Sequence, residues 1–264
     1  MARAAEEHVF SACQDGDMSS VPEDFAAAVP AKANDYDSFA GEYTAENENN
    51  LYNAYYERPA MLDLAGEVSG RRILDAGCGS GPLTMALRER GAIVSGVDSS
   101  REMLALARER LGSDTDLRVA DLAAPLPFAD NSFDDVVASL VLHYLRDWGP
   151  TLTEVRRVLK PGGRLLVSVD HPFVAYGFQR LAGLEPDYSA TYTWNFHWTM
   201  GEKTAPMSFW VRPLHAMTDA FTAAGFRVSV LSEPQPLPAA RDLFPDEYRA
   251  LATSPAFLFL VLHA

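Results

Sequence analysis

The run Ile73-Leu74-Asp75-Ala76-Gly77-Cys78-Gly79-Ser80-Gly81 carries an apolar stretch into a glycine-rich turn. Glycine belongs where the backbone takes a positive φ or must come close to a ligand. A helix opening after such a turn offers free N–H groups and the positive end of its dipole to an anion. The spacing is G-x-G-x-G, and Pro82 stands where a dinucleotide-binding turn wants glycine or alanine. Proline there would crowd a pyrophosphate, and Asp75 would repel one. A carboxylate in that place suits an ammonium. The turn therefore fits a nucleoside joined to a positively charged amino acid.

Two further acids follow in order. Asp98 lies 21 residues after Gly77, at the end of a second apolar run, where a carboxylate accepts both ribose hydroxyls. Ser99 is placed to cap the next helix. Met103 can lie against a purine face, or simply pack in the core. Asp121, ending a third run, can accept from an exocyclic amine while the Leu122 amide meets a ring nitrogen.

A general base should titrate near neutrality, which points to histidine. In an open α/β sheet the reacting groups lie beyond the carboxyl ends of the strands. His143, after a fourth strand, is the first candidate. His171, after a fifth, and His197, within Trp194-Asn195-Phe196-His197-Trp198, are the next. For each, the plainer reading is a packed or hydrogen-bonded side chain, and Pro172 favours a turn at His171. His215 falls at the start of a helix, and His8 and His263 are given no role. Cys78 contributes its amide rather than its thiol. No His/Cys/Asp cluster has metal-ligand spacing, so no metal is expected.

These residues need a scaffold, and the pattern supplies one. Short apolar runs at 72–75, 92–98, 117–121, 133–140, 164–169, 226–231 and 257–262 read as seven strands. Helical stretches at 82–90, 101–111, 151–159 and 213–224 alternate with them, and Lys160-Pro161-Gly162-Gly163 stops the third. That alternation argues for a parallel sheet covered on both faces. The last run is apolar at every position, as suits an interior strand. A helix from Pro59 to Gly66 or Gly70 precedes the first strand, and residues 35–70 read as a helical, aromatic lid. Residues 171–212 break the alternation. Ten aromatics among the 38 positions of 173–210 make this insertion the expected acceptor-binding segment, with a dimer interface or plain core as the alternative.

The net charge of −14 is uneven: residues 1–50 hold eleven acids and two bases, a balance of −9. Residues 1–34 are expected to form an acidic, partly mobile arm ahead of a domain at 35–264. A chain without a basic face repels phosphate backbones, so nucleic acid is not an expected partner. No apolar run reaches the roughly 18 residues of a membrane span. Acidic residues near the N-terminus and two cysteines fit a cytoplasmic protein.

From Tyr36 to Pro172 the chain resembles the class I S-adenosylmethionine-dependent methyltransferases. The resemblance rests on the glycine turn and its acids, on Pro125-Leu126-Pro127-Phe128-Ala129-Asp130-Asn131-Ser132-Phe133-Asp134, on Ser139-Leu140-Val141-Leu142-His143-Tyr144 and on Leu159-Lys160-Pro161-Gly162-Gly163. The small-molecule branch, with the methyltransferases of ubiquinone and menaquinone biosynthesis, is nearest in pattern. The resemblance implies an α/β, Rossmann-like fold: a seven-stranded sheet of order 3-2-1-4-5-7-6 with the last strand antiparallel. It implies that Asp75, Gly77, Cys78 and Gly79 face the methionine part of S-adenosyl-L-methionine, Asp98 the ribose, and Asp121 and Leu122 the adenine. Ser139 and Leu140 then border the sulfonium, and Tyr43 reaches in from the lid. The implied reaction is an in-line methyl transfer to a small, aromatic or apolar acceptor, with a homodimer possible. A cyclase that keeps the cofactor on the same fold is the alternative. A methyltransferase acting on nucleic acid or protein is disfavoured by Leu140-Val141-Leu142 after the fourth strand, where an Asn/Asp-Pro-Pro-aromatic element would be needed. A nicotinamide enzyme is disfavoured by Pro82 and Asp75.

Overall fold

A computed structural model describes residues 33–264 apart from 182, 184, 201 and 202. The acidic arm lies almost wholly outside the described residues. The strands are β1 (Arg72–Ala76), β2 (Ile93–Asp98), β3 (Leu117–Val119), β4 (Phe133–Ser139), β5 (Leu159–Asp170), β6 (Tyr192–Met200), β7 (Lys203–Val211), β8 (Arg227–Ser232) and β9 (Phe257–His263). The helices are α1 (Ala40–Asn49), α2 (Arg58–Ala65), α3 (Pro82–Glu89), α4 (Arg101–Leu111), α5 (Gly149–Val158), α6 (Pro172–Leu181), α7 (Leu214–Ala223) and α8 (Pro245–Thr253). A π-helical turn, Asn53–Glu57, runs directly into α2.

Seven strands form one sheet in the order β3-β2-β1-β4-β5-β9-β8, and β6 and β7 pair as a separate hairpin. Counted along the sheet's own strands this is the expected 3-2-1-4-5-7-6. The first five strands are parallel, and β9 runs antiparallel to both β5 and β8. Its six apolar residues Phe257 to Leu262 are all buried, because the strand is paired on both edges and covered on both faces. One core cluster, with Trp148, Leu152 and Phe221, covers one face. A second, with Tyr56, Met61, Leu87 and Phe259, covers the other.

At the amino end of the sheet Asp135 is buried and held by two arginines. Arg71 donates at 2.5 and 2.7 Å and Arg164 at 2.8 and 2.9 Å. Burial alone would raise this carboxyl, but the hydrogen bonds from Arg164 and Arg71 outweigh it and hold it below the usual carboxylate range. The pairing ties β4, β5 and the lead into β1 together, away from the end that carries the strand-tip acids.

The structure corrects three local expectations. β3 stops at Val119, so Asp121 sits in the following turn, where its Oδ1 accepts the Ala123 N–H at 2.9 Å. An aspartate favours such a turn over a continued strand. β5 starts at Leu159 rather than Arg164, with a register break that absorbs Lys160–Gly163. Ser100, not Ser99, caps α4: its Oγ accepts the Met103 N–H at 3.0 Å.

The segment after β5 folds as α6 and the β6–β7 hairpin. Met200, Ala205 and Met207 of the hairpin pack on Phe39, flanked by Tyr36, Tyr43, Tyr144, Trp198 and Phe209. The start of the lid is stitched to the hairpin and to α4. Asn34 exchanges two hydrogen bonds with the Ser208 backbone, both at 2.9 Å, and Lys203 pairs with Glu42 at 2.9 Å. Asp37 Oδ1 accepts from Ser100 Oγ at 2.5 Å and from the Glu102 N–H at 3.1 Å.

Candidate active site

Beyond the carboxyl ends of β1, β2 and β4, and beneath the lid, lies a cavity of about 390 Å³. That volume is in the range of small-molecule sites. All twelve residues expected at a cofactor line it: Tyr43, Asp75, Gly77, Cys78, Gly79, Asp98, Ser99, Met103, Asp121, Leu122, Ser139 and Leu140. Strand ends, the glycine turn and the lid bring them together across almost 100 residues of sequence.

The turn has the geometry that its glycines promised. Gly77, Gly79 and Gly81 take φ values of 81°, 54° and 79°. At Gly77 a side chain is also excluded by space, since a Cβ would stand 2.4 Å from Val141 Cγ2. Gly81 then leads into Pro82 at the first turn of α3, where a missing N–H costs no hydrogen bond.

Asp98 is fixed by two backbone donors. The Gly79 N–H reaches its Oδ2 and the Ser100 N–H its Oδ1, both at 2.9 Å. Burial nonetheless pushes this carboxyl above its ordinary value. Asp75 is buried more deeply. Its Oδ2 accepts from Thr84 Oγ1 at 2.6 Å, while Oδ1 is buried with no hydrogen-bond partner. Burial pushes Asp75 up to about 7, against the Thr84 bond and with the charges of Glu57 and Asp98 adding to the rise. A buried carboxylate oxygen without a partner, on a residue that lines a cavity, is free to accept a hydrogen bond from a ligand's cation. Three acids spaced along this cavity, with an amide-rich turn between them, fit an adenosyl group that ends in an ammonium.

The lid closes the cavity with tyrosines. Tyr36 and Tyr144 are hydroxyl-to-hydroxyl hydrogen-bonded, and Tyr36 packs edge-on against Tyr43 at 5.0 Å between ring centres. Burial raises Tyr43 to about 12, so it stays a neutral phenol. Leu140 holds a φ of 47° at the cavity wall, a strained position for a side chain with a Cβ. Its N–H is held by Ser168.

The three candidate histidines part company. His143 is buried one layer behind the wall, 4.4 Å from the Tyr144 ring and 4.2 Å from Phe209. Its Nδ1 has no hydrogen-bond partner and lies 3.5 Å from Asp170 Oδ2. Burial depresses its pKa, against the pull of Asp170. His171 binds Glu233 through Nε2 at 2.7 Å. Both face a second space of about 20 Å³, the size of a single water, walled by Trp194, Phe209, Trp210 and Arg212. His197 is exposed on β6 and borders neither cavity. By parity His197 shares a face of β6 with Asn195, which is buried, so strand alternation alone does not set its exposure.

Sequence reasoning missed Asn47, Asn53, Glu57 and Arg58, which also line the large cavity. Glu57 is buried on the π-helical turn. Ser139 Oγ and Ser168 Oγ both donate to its Oε1, at 2.7 and 2.6 Å. The available signal was position. Glu57 lies four residues before Met61 and three before Ala60, so it stands on the buried stripe, where an unpaired carboxylate is out of place. Single-turn π segments gather at functional sites. Among the described residues no group of three or more His, Cys, Asp or Glu could hold a metal ion, and no helix is long and apolar enough to cross a membrane.

A parallel sheet with one antiparallel strand in this order, and a carboxylate-lined cavity over its glycine turn, define the class I S-adenosylmethionine-dependent methyltransferase architecture. Residues 74–167 match the methyltransferase domain family. It is 35% identical over 153 residues to the demethylmenaquinone methyltransferase of Tropheryma whipplei, covering 54% of this chain and 64% of that protein. It is also 35% identical over 157 residues to the ubiquinone/menaquinone biosynthesis C-methyltransferase UbiE of Desulfotalea psychrophila, covering 54% and 63%. The aligned part thus spans a little under two thirds of these relatives. Among solved structures, an S-adenosylmethionine-dependent methyltransferase from Mesorhizobium loti superposes with a TM-score of 0.59 and 27% identity, over 78% of this chain and 95% of that one.

Proposed function

We propose that the chain binds S-adenosylmethionine in the large cavity and transfers its methyl group to a small, aromatic or apolar acceptor by in-line displacement. The observation that carries this reading is the Asp75 oxygen, buried and without a partner, above the glycine turn and in one cavity with Asp98 and Asp121. When bound, the cofactor supplies an electrophilic methyl carbon on a good leaving group, so the protein needs mainly to align and to exclude water. Asp98, already oriented by the Gly79 and Ser100 amides, accepts the ribose hydroxyls. Asp121 and the Leu122 amide read the adenine edge, and Met103 covers a ring face. Ser139 and Leu140 border the reacting centre, which Tyr36, Tyr43 and Tyr144 roof against solvent.

The acceptor reaches that centre from the side of Tyr144 and Phe209, under the aromatic hairpin. The His143 ring packs against both from one layer behind the cavity wall, its Nδ1 3.5 Å from Asp170 Oδ2, and positions these rings rather than touching the acceptor. An acidic chain without a basic face directs the reading to small molecules rather than nucleic acid. The test is release of S-adenosylhomocysteine when purified protein is incubated with the cofactor and a panel of phenols, quinols and enols. Release in step with methylated product supports the proposal. Product of unchanged methyl count, without that release, would favour the cyclase reading.

A further inference from the structure

Two hydroxyls at the roof of the large cavity have bonding capacity that the fold leaves over. Tyr36 lies on the lid, in the short turn Tyr36–Ser38, and Tyr144 ends the turn Leu142–Tyr144 that follows β4. Both residues line the cavity. Their hydroxyls are hydrogen-bonded to each other, and among the described residues no other hydrogen bond reaches either one. Burial above all raises both phenols well above their ordinary value, so each keeps its proton. A phenol can donate one hydrogen bond and accept another. In a pair of neutral phenols one O–H is spent on the partner. The other O–H stays uncommitted, and so does a lone pair on the phenol that donates. A donor and an acceptor thus stand side by side, in a place where polar groups are normally satisfied. The surroundings are aromatic: Tyr36 packs on Phe39 at 4.9 Å between ring centres, and Tyr144 packs edge-on against Phe209 at 5.2 Å.

We infer that the Tyr36–Tyr144 pair sets specificity for the methyl acceptor by reading a hydroxyl group on an aromatic or enolic carbon. Such a hydroxyl donates to one phenol and accepts from the other, so it uses both open positions. A carbonyl or ether oxygen takes only the free O–H, and an ammonium only the lone pair. This inference rests on the proposed methyl transfer and names the group that its acceptor carries. The placement agrees with it. Tyr144 follows Leu140, which borders the reacting centre in that proposal, by four residues. Val141 between them packs against the glycine turn, which fixes the start of the turn that ends in Tyr144. Tyr36 is fixed from the other side. Asn34 is bonded to the Ser208 backbone, and Asp37 to Ser100 and Glu102. The lid therefore carries one half of the pair and the sheet the other, and the hydroxyl site is complete only with the lid docked. An aromatic body on the acceptor suits the neighbouring rings.

The test is equilibrium dialysis of two probes of one shape against the full chain saturated with S-adenosylhomocysteine. The probes are 2-naphthol and naphthalene, which lacks the hydroxyl. Wild type should prefer 2-naphthol by about tenfold, the difference that two net hydrogen bonds supply. Tyr36→Phe and Tyr144→Phe each leave one phenol and one bond, so the preference should fall to about threefold. The double variant should show no preference. In all three variants S-adenosylhomocysteine affinity, read by calorimetry, should change less than about twofold. A preference that survives in the double variant overturns the inference. So does a loss of S-adenosylhomocysteine affinity equal to the loss for 2-naphthol, which marks a structural role. If the wild-type complex takes 2-naphthol no better than naphthalene, the hydroxyl site fails and the cofactor reading stands. If S-adenosylhomocysteine itself does not bind, both fail. Thermal melts of the variants separate misfolding from lost contact.

Discussion

Replacing Asp75 with asparagine should move stability and ligand affinity in opposite directions. The carboxyl is pushed up to about 7, chiefly by burial, from an ordinary value of 3.8. Between about pH 4 and pH 7 the folded state keeps a proton that the unfolded chain has released, so stability falls as pH rises through that window. A gap of about three pKa units corresponds to about 4 kcal/mol withheld from the folded state above pH 7. Asparagine keeps an acceptor for Thr84 and removes the charge, but it buries an amide N–H₂ where Oδ1 has no partner, which costs about 1–3 kcal/mol. The balance is about 2 kcal/mol in favour of the variant at about pH 8, or roughly 4–8 °C in Tm for a domain of this size. At about pH 5 the wild-type carboxyl is already neutral in the folded state, and the advantage disappears. Glu57 and Asp98 remain in both proteins, so their own titration largely cancels in the comparison. Scanning calorimetry without ligand at the two pH values reads the effect. At the higher pH the variant should also bind S-adenosylhomocysteine about tenfold more weakly. A Tm difference that does not change with pH would refute the reasoning, because only a buried charge, not a change of shape, makes it pH-dependent.

Asp98→Ala should weaken cofactor binding at least about tenfold by calorimetry, since the ribose hydroxyls would lose a charged acceptor already held by two amides; unchanged affinity would remove the ribose assignment. His143→Ala should lower kcat more than it raises the cofactor Kd, because it loosens Tyr144 and Phe209 beside the reacting centre; wild-type turnover would take it out of the mechanism. Asp135→Ala should destabilise by about 3 kcal/mol in urea melts, because it strands Arg71 and Arg164 without their anion. That variant should leave the cofactor Kd unchanged, as the pairing lies at the other end of the sheet.

Much of the scaffold could be read from the chain because its signals are local. Ile73-Leu74 running into Gly77, and Asp98 and Asp121 each following an apolar run, are enough to place three carboxylates at one end of a sheet. Phe257 to Leu262 announced an interior strand by having no polar side. What escaped depends on tertiary context. Glu57 and Arg58 reach the cavity through a π turn, and π hydrogen bonding leaves no periodic trace distinct from an α-helix. His197 sits in Tyr-Thr-Trp-Asn-Phe-His-Trp-Thr-Met, where large side chains occupy both parities, so neither face declares itself polar. The type and place of His143 single it out, but only the packing shows that it lies behind Tyr144, against Phe209, and not on the cavity wall. Ser99 and Ser100 are interchangeable as caps on paper, and the backbone chose the second.

The position of β9 bears on how the protein comes into being. The strand lies between β5 and β8, yet its residues follow Asp170 by nearly ninety positions. During synthesis β5 therefore waits with an unpaired, apolar border until Phe257 to Leu262 leave the ribosome. A partner found so late in the chain makes for slow closure. It also gives any other extended segment time to occupy the gap first, which makes this seam the natural place for misassembly to begin.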